Sequence, residues 1–188
     1  MIEVEIKLPV RDLEEIKKQL MQDGFAESAH LRERDTYFDN VSGQIRSGGQ
    51  ALRIRETADL QTGAVTAQIN FKGKKLDPLT MTRQELESAV DQAEICRQIL
   101  ESIGFHRVSP EVIKERTMLQ QGDMAACLDQ VENLGSFLEL EILVPTEAQK
   151  GAAQNRIDAV LAMLGYRMAD TVRSSYLSML QKKEAERE

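Results

Sequence analysis

The stretch Ile2-Glu-Val-Glu-Ile-Lys7 alternates apolar and charged residues without interruption. Side chains of a β-strand point alternately to opposite faces, so this pattern predicts a strand with one apolar and one charged face. Glu3, Glu5 and Lys7 then share the charged face, where two carboxylates lie beside an ammonium group. For a single strand, the simplest interpretation is an antiparallel sheet whose second face meets water.

The composition is typical of a soluble globular protein. The chain has 188 residues, of which 41% are hydrophobic and 29% charged, with a formal net charge of -7. It contains no apolar run of about 18 residues and no basic-then-apolar leader, so we expect a cytoplasmic protein without a membrane span. Cys96 and Cys127 are too few for a disulfide framework and are expected to be reduced. The acidic balance argues against a stable nucleic-acid partner.

Three helices are predicted, each with a capping-box start, an apolar face of helical spacing and a terminating glycine. A fourth helix is expected from about residue 171 to 183. The start signals and terminating glycines are residues 12–15 with Gly24, 91–94 with Gly104, and 146–149 with Gly165.

Alternating segments between the helices predict eight strands. Because the helices are too few to cross over between every strand pair, the pattern indicates an antiparallel α+β protein. No low-complexity linker divides the chain, so we expect one domain over residues 1–182, followed by a charged tail at 183–188. The predicted strands are 2–9, 34–39, 51–57, 64–72, 81–87, 111–119, 124–130 and 137–144.

Charged residues recur in pairs on one face of several predicted strands, and the pairs sort by sign. Like charges two residues apart repel one another unless an opposite charge lies between them. A divalent cation would relieve the acidic pairs, and a polyanion would relieve the basic ones. Because Mg²⁺ prefers carboxylate oxygens and often shares its ligands with phosphate, the pattern favours a strand-built cavity for a metal-bound phosphate chain. The pairs are Glu3 and Glu5, Glu139 and Glu141, Arg53 and Arg55, and Lys114 and Arg116.

A series of motifs extends this pattern from residue 2 to about residue 180. They are Glu3-x-Glu5-x-Lys7, 35–39, 52–55, Lys72, 83–85, 114–116, 127–141 and Ser175-Tyr176. In this order they resemble the CYTH superfamily, the triphosphate tunnel metalloenzymes, and most closely its class IV adenylate cyclase-like branch. The resemblance implies an eight-stranded antiparallel β-barrel or tunnel with flanking helices and charged residues lining the inside.

The resemblance also implies a small-molecule triphosphate substrate and Mg²⁺ or Mn²⁺ as cofactor. Phosphoryl and nucleotidyl transfer depend mainly on positioning and charge neutralisation, so the tunnel's acids and bases have separate roles. Glu85 is either a further acid or the partner of a tunnel cation. Carried over by position, the metal ligands are Glu3, Glu5, Asp129, Glu139 and Glu141; the phosphate-binding residues are Lys7, Arg53, Arg55, Lys72, Arg83, Lys114 and Arg116; and the catalytic residues are Glu5, Lys7 and Glu139.

Members of the family differ in the nucleophile that attacks the phosphate chain. We expect class IV adenylate cyclase-like activity, in which the ribose 3′-hydroxyl of ATP attacks the α-phosphorus and yields cyclic AMP and pyrophosphate. The alternative is a triphosphatase, in which water attacks tripolyphosphate, thiamine triphosphate or a nucleoside triphosphate. A third possibility is a module that binds polyphosphate or nucleotide without turnover.

Three further expectations follow. Activity should favour alkaline pH, where the acids are ionised and the lysines still protonated. Tyr37, Phe38 and Tyr176 are expected to pack rather than to contact a base. A homodimer is compatible with the family but has no signature in this sequence.

Overall fold

A single curled antiparallel sheet forms the body of the protein. The computed structural model describes residues 2–75 and 83–187, without the side chains of Lys75 and Arg83. Within these residues the sheet has eight strands, as the sequence predicts. They are β1 (Ile2–Pro9), β2 (Ala26–Asn40), β3 (Ala51–Asp59), β4 (Val65–Lys75), β5 (Arg83–Ala89), β6 (Phe105–Gln121), β7 (Met124–Val131) and β8 (Gly135–Val144).

The order of hydrogen-bonded strands is β1-β8-β7-β6-β2-β3-β4-β5. The two edge strands, β1 and β5, contact each other without entering the backbone ladder of the described residues, so the sheet curls into a tunnel. Side chains join the edges: the Lys72 ammonium on β4 lies 3.3 Å from Glu3 on β1 and 3.2 Å from Glu85 on β5. The predicted antiparallel tunnel architecture is therefore confirmed.

Strands β2 and β6 are much longer than predicted. The expected segments were 34–39 and 111–119, whereas the strands run over Ala26–Asn40 and Phe105–Gln121. Their added portions carry many polar residues, and each pairs mainly with the predicted portion of the other strand. Long-range pairing rather than a local apolar pattern therefore makes them strands. Pro110 lies at a register shift in this pairing, where a strand tolerates a residue without an N–H group.

Five helices flank the sheet in the described residues. The short α2 and the late start of α5 were not predicted, and α5 continues through Lys183 to Ala185. No helix among the described residues combines the length and apolar character that a membrane span requires. The helices are α1 (Leu13–Gln22), α2 (Gln44–Ser47), α3 (Ala93–Ser102), α4 (Lys150–Met163) and α5 (Tyr176–Ala185).

The predicted terminating glycines agree with the structure better than the predicted N-terminal side-chain caps do. The three predicted glycines all adopt left-handed backbone conformations just after α1, α3 and α4. Asp12 caps α1 by accepting the Glu15 N–H at 3.0 Å, as predicted. Helical structure also begins within the other two start signals, but the predicted side-chain caps do not form. Gln92 precedes α3 without a side-chain cap, and Thr146 precedes a 3₁₀ turn that leads into α4. In both places the backbone carbonyl accepts an N–H of the first turn: Gln92 from Cys96 at 3.1 Å and Thr146 from Gln149 at 3.2 Å.

The apolar side of the sheet faces outward and is covered by helices. Val4, Ile6 and Leu8 are buried in one cluster with residues of α1 and α4. Helix α5 covers part of β6, β7 and β8, and α3 covers part of β2 and β3. The charged side of β1 therefore faces the inside of the curled sheet, where Lys7 is only 4% exposed. The water-facing interpretation of the opening strand is wrong.

Candidate active site

The curled sheet encloses a cavity of about 1150 Å³. Its wall brings together nearly all of the predicted site residues, which lie far apart in the sequence. Asp129 lies behind this wall with no exposed surface, and the side chain of Arg83 is outside the described residues. The predicted residues on the wall are Glu3, Glu5, Lys7, Arg53, Arg55, Lys72, Lys114, Arg116, Glu139 and Glu141.

A continuous series of ion pairs, here called the ion-pair belt, alternates in sign in this wall and directly behind it. Each carboxylate in it contacts two cationic side chains from other strands. The distances between the nitrogen and oxygen atoms of successive members are 2.6–3.1 Å. Arg116 and Glu139 are also in direct contact. In order, the belt is Lys7, Glu139, Arg116, Asp129, Lys114, Glu33, Arg55, Asp35 and Arg53.

The belt keeps its acids ionised despite their burial. Burial alone would raise the pKa of Glu33, but Lys114 and Arg55 lower that pKa to about 2. The pKa of Asp35 is likewise lowered, because Arg53 and Arg55 outweigh the effect of burial. For Glu139, Lys7 and Arg116 outweigh burial and hold the pKa well below its ordinary value. The belt is therefore an array of fixed charges within a region of low dielectric constant.

Glu33 and Asp35 are members of the belt that were not among the predicted site residues. Asp35 accepts hydrogen bonds from Arg55 at 2.6 and 2.8 Å and from Arg53 at 3.1 Å. These contacts fix the direction of both predicted phosphate-binding arginines. The signal was available, because the two acids are two residues apart on β2, like Glu3 and Glu5 on β1.

Glu3, Glu5 and Glu141 form a second feature of the cavity, here called the acidic cluster. Glu5 and Glu141 are direct Cα partners across β1 and β8, where like charges repel. Burial, together with Glu5 and Glu141 and against the opposing effect of Lys72, raises the pKa of Glu3 to about 8. Burial and Glu5 also raise the pKa of Glu141. The surroundings of the cluster therefore compensate its negative charge poorly and favour the protonated form of Glu3.

The donor set of the acidic cluster fits a hard divalent cation, which prefers carboxylate oxygens. Among the residues the structure describes, no three His, Cys, Asp or Glu side chains are already grouped closely enough to hold a metal ion. The three carboxylates would therefore draw together on binding. Asp129 and Glu139 are already engaged by the cations of the ion-pair belt, so their predicted metal ligation stays a prediction.

Lys72 connects the acidic cluster to the edge of the sheet. Its pKa is raised because Glu3, Glu5 and Glu85 outweigh the effect of burial. Glu85 is thus the partner of a tunnel cation in this structure, which was one of the two alternatives for it.

Tyr37, Phe38 and Tyr176 all pack in hydrophobic clusters and also line the cavity. Phe38 is buried, and Tyr176 packs against Phe137 with ring centroids 5.1 Å apart. Tyr176 also donates a hydrogen bond from its hydroxyl to Asp129 at 2.8 Å, which the sequence did not predict. Cys96 and Cys127 are both free thiols, as expected.

Residues 1–176 match the model of the CYTH domain. The chain belongs to the CYTH family. A protein of Methanocaldococcus jannaschii named "putative adenylate cyclase" is 33% identical over 179 residues, which are 95% of this chain and 98% of that protein. The resemblance drawn from the sequence motifs is thereby confirmed.

Solved structures share the fold of this CYTH protein. A protein from Pyrococcus horikoshii has a TM-score of 0.86 and 28% identity, with 96% of this chain and 99% of that one covered. A Hippeastrum protein, described as a "putative adenylyl cyclase" with a dominant triphosphatase activity, has a TM-score of 0.70, with 97% of this chain and 95% of that one covered. At 16% identity the Hippeastrum structure shows the shared fold alone.

Proposed function

We propose that the chain is a metal-dependent enzyme of the class IV adenylate cyclase type, which converts ATP to cyclic AMP and pyrophosphate. The observation that carries the proposal is the placement of the ion-pair belt beside the acidic cluster within one cavity. The similarity to the M. jannaschii protein, over nearly the full length of both chains, supports the choice of reaction.

The cations of the belt are suited to holding a phosphate chain. An arginine guanidinium has five N–H donors and a lysine ammonium has three, so the belt carboxylates occupy only part of this capacity. Asp35 and Glu139 keep Arg53, Arg55 and Lys7 in place before any ligand arrives. Fixed donors need no reorganisation when charge develops on phosphate oxygens, which is the main source of catalysis in such reactions.

The acidic cluster is suited to binding Mg²⁺ or Mn²⁺. A triphosphate would bring several negative charges into a cavity whose cations are already paired with carboxylates, and a divalent cation offsets this excess. When bound at Glu3, Glu5 and Glu141, the ion would supply Lewis-acid stabilisation of phosphate oxygens. Asp129 and Glu139 then act mainly through the cations that they orient.

Three residues are placed to take part in the reaction itself. Lys7 Nζ is held 2.9 Å from Glu139 and 3.9 Å from Glu5. Lys7 would donate hydrogen bonds to a phosphate oxygen as the leaving pyrophosphate gains charge. Glu5 is the member of the acidic cluster that forms an ion pair with Lys7, and it would orient the attacking hydroxyl group. Glu139 favours the protonated form of Lys7 and fixes the position of its ammonium group.

A triphosphatase is the second candidate function. The belt and the acidic cluster supply groups that recognise phosphate, and the same groups would serve a water nucleophile. Because a triphosphatase activity is ascribed to the Hippeastrum protein, any test of the function must also measure triphosphate hydrolysis.

The test is to incubate the purified protein with ATP and, separately, with inorganic tripolyphosphate, each with Mg²⁺ or Mn²⁺, and to identify the products. Cyclic AMP and pyrophosphate from ATP support the cyclase, whereas orthophosphate release supports the triphosphatase. Glu5→Ala and Glu139→Ala should abolish turnover while the barrel stays folded. Turnover of neither substrate by the unaltered protein contradicts both enzymatic functions and leaves the binding module.

A further inference from the structure

The start of α5 is fixed against the wall of the cavity. The Val172 N–H donates to the Lys7 carbonyl oxygen at 2.7 Å, which ties the segment before α5 to β1. Ser175 then caps the helix by accepting the Ser178 N–H at 3.2 Å. Tyr176, the first residue of α5, is consequently directed into the barrel wall and is only 6% exposed.

Tyr176 contacts the ion-pair belt at three of its members. Its hydroxyl donates to Asp129 at 2.8 Å. The Lys7 ammonium lies 4.0 Å from the centroid of its ring, and the Lys114 ammonium lies 5.3 Å from the same centroid. One side chain from outside the sheet therefore touches one acid and two cations of the belt.

An aromatic ring holds cations in a way that a carboxylate does not. The negative face of the ring attracts an ammonium group without neutralising it. Lys7 and Lys114 already have carboxylate partners in Glu139 and Asp129, and a further acid would cancel the positive charge that a phosphate requires. The tyrosine fixes both lysines while leaving their charge available to a ligand.

We propose that Tyr176 is a positioning residue that orients Lys7, Lys114 and Asp129 for binding the phosphate chain, so that α5 is part of the substrate site. The proposal rests on the proposed function in one respect, because it takes a triphosphate as the ligand. It makes no assumption about which nucleophile attacks that ligand.

Three variants separate this role from simple packing. Tyr176→Phe keeps the ring and removes the hydroxyl, whereas Tyr176→Leu removes both. Leu180→Ala is the matched control, because Leu180 is buried in the same cluster on the same helix, and an aliphatic side chain forms neither a hydrogen bond nor a cation–π contact with the belt. Urea unfolding of each variant shows how far it disturbs the fold.

The measurement is calorimetric titration with inorganic tripolyphosphate in EDTA, so that the belt is probed without metal. Tyr176→Leu should weaken binding about tenfold through loss of the cation–π contacts, while Tyr176→Phe stays within about threefold. Leu180→Ala should bind like the unaltered protein despite its lower stability. An equal loss in Leu180→Ala, unchanged binding by Tyr176→Leu, or no binding by the unaltered protein each overturns the proposal. Binding without cyclic AMP formation contradicts only the cyclase.

Discussion

Lys114 Nζ lies 3.1 Å from Asp129 Oδ2, and the two side chains are 3% and 0% exposed. Asp129 also receives hydrogen bonds from Arg116 and Tyr176, so three elements of the fold, β6, β7 and α5, meet at one carboxylate. Two charges so deeply buried are tolerated because each compensates the other. This carboxylate is therefore the point at which the belt is most sensitive to a change of charge.

Asp129→Asn should destabilise the protein by roughly 3–5 kcal/mol, because removal of one partner leaves buried cations uncompensated. The measurement is the free energy of unfolding from urea titration at neutral pH. Binding of tripolyphosphate would weaken as well, since Lys114 and Arg116 lose their common anchor.

Asp123→Asn is the matched control for this prediction. Asp123 also forms a two-bond contact with an arginine, Arg156, but these side chains are 60% and 48% exposed. Exposed ion pairs contribute about 0–1 kcal/mol, so the control should lose little stability. Similar losses in both variants would show that the belt is not the buried network described above.

Glu33→Gln tests the belt through pH. Lys114 and Arg55 outweigh burial and lower the pKa of Glu33 to about 2 from an ordinary value of 4.5. A lowered pKa gives stability that is present above about pH 4.5 and is lost as the pH falls through about 2. The stability advantage of the unaltered protein over Glu33→Gln should therefore be full at pH 6 and shrink progressively below pH 4.5. Urea unfolding of both proteins across this range measures it, and an advantage that does not depend on pH contradicts the assignment.

The sequence predicts those parts of the site in which apolar and charged residues alternate along a single strand. The strand carrying Glu3, Glu5 and Lys7 and the strand carrying Glu139 and Glu141 both alternate clearly, and they form a neighbouring pair in the sheet. Apolar residues at every second position all lie on one face of the strand, and that face must be buried. The charged residues therefore lie together on the opposite face.

The remaining features depend on which strands become neighbours. The extended part of each of these strands, β2 and β6, lacks an apolar pattern and is ordered by pairing mainly with the predicted part of the other strand. The partnership of Glu33 with Lys114 requires that same pairing. The contact of Tyr176 with Asp129 requires α5 to fold back onto β7, across 47 residues of sequence. A local sequence pattern cannot predict contacts between residues so far apart in the chain. A family motif identifies the site residues but does not show which of them contact one another.

Glu141→Gln tests the acidic cluster through the stability of the metal-free protein and through its stabilisation by metal. Without metal, the variant should be more stable by about 0.5 kcal/mol, because it removes like-charge repulsion across β1 and β8. With Mg²⁺ or Mn²⁺, the unaltered protein should gain thermal stability and the variant should gain less, since it lacks one carboxylate. Scanning calorimetry with and without metal measures both effects.

Glu14→Gln provides the control for the acidic cluster. Glu14 is an exposed residue of α1, and this change alters the net charge by the same amount. It should leave the stabilisation by metal unchanged. Equal stabilisation of Glu141→Gln and the unaltered protein would place the cation elsewhere.

The pH dependence of metal binding follows from Glu3. Burial and the neighbouring acids raise the pKa of Glu3 to about 8, so in the metal-free protein its carboxyl group keeps a proton that the unfolded chain loses near pH 4.5. The stability of the metal-free fold should accordingly decline as the pH rises from about 4.5 to about 8. A cation must displace this proton below pH 8, so its apparent affinity should rise by up to about tenfold per pH unit and then level off. Titration calorimetry at several pH values, in buffers of different ionisation enthalpy, counts the protons released. Glu3→Gln should flatten the dependence, and an affinity already flat between pH 6 and pH 8 in the unaltered protein would remove Glu3 from the proposed metal site.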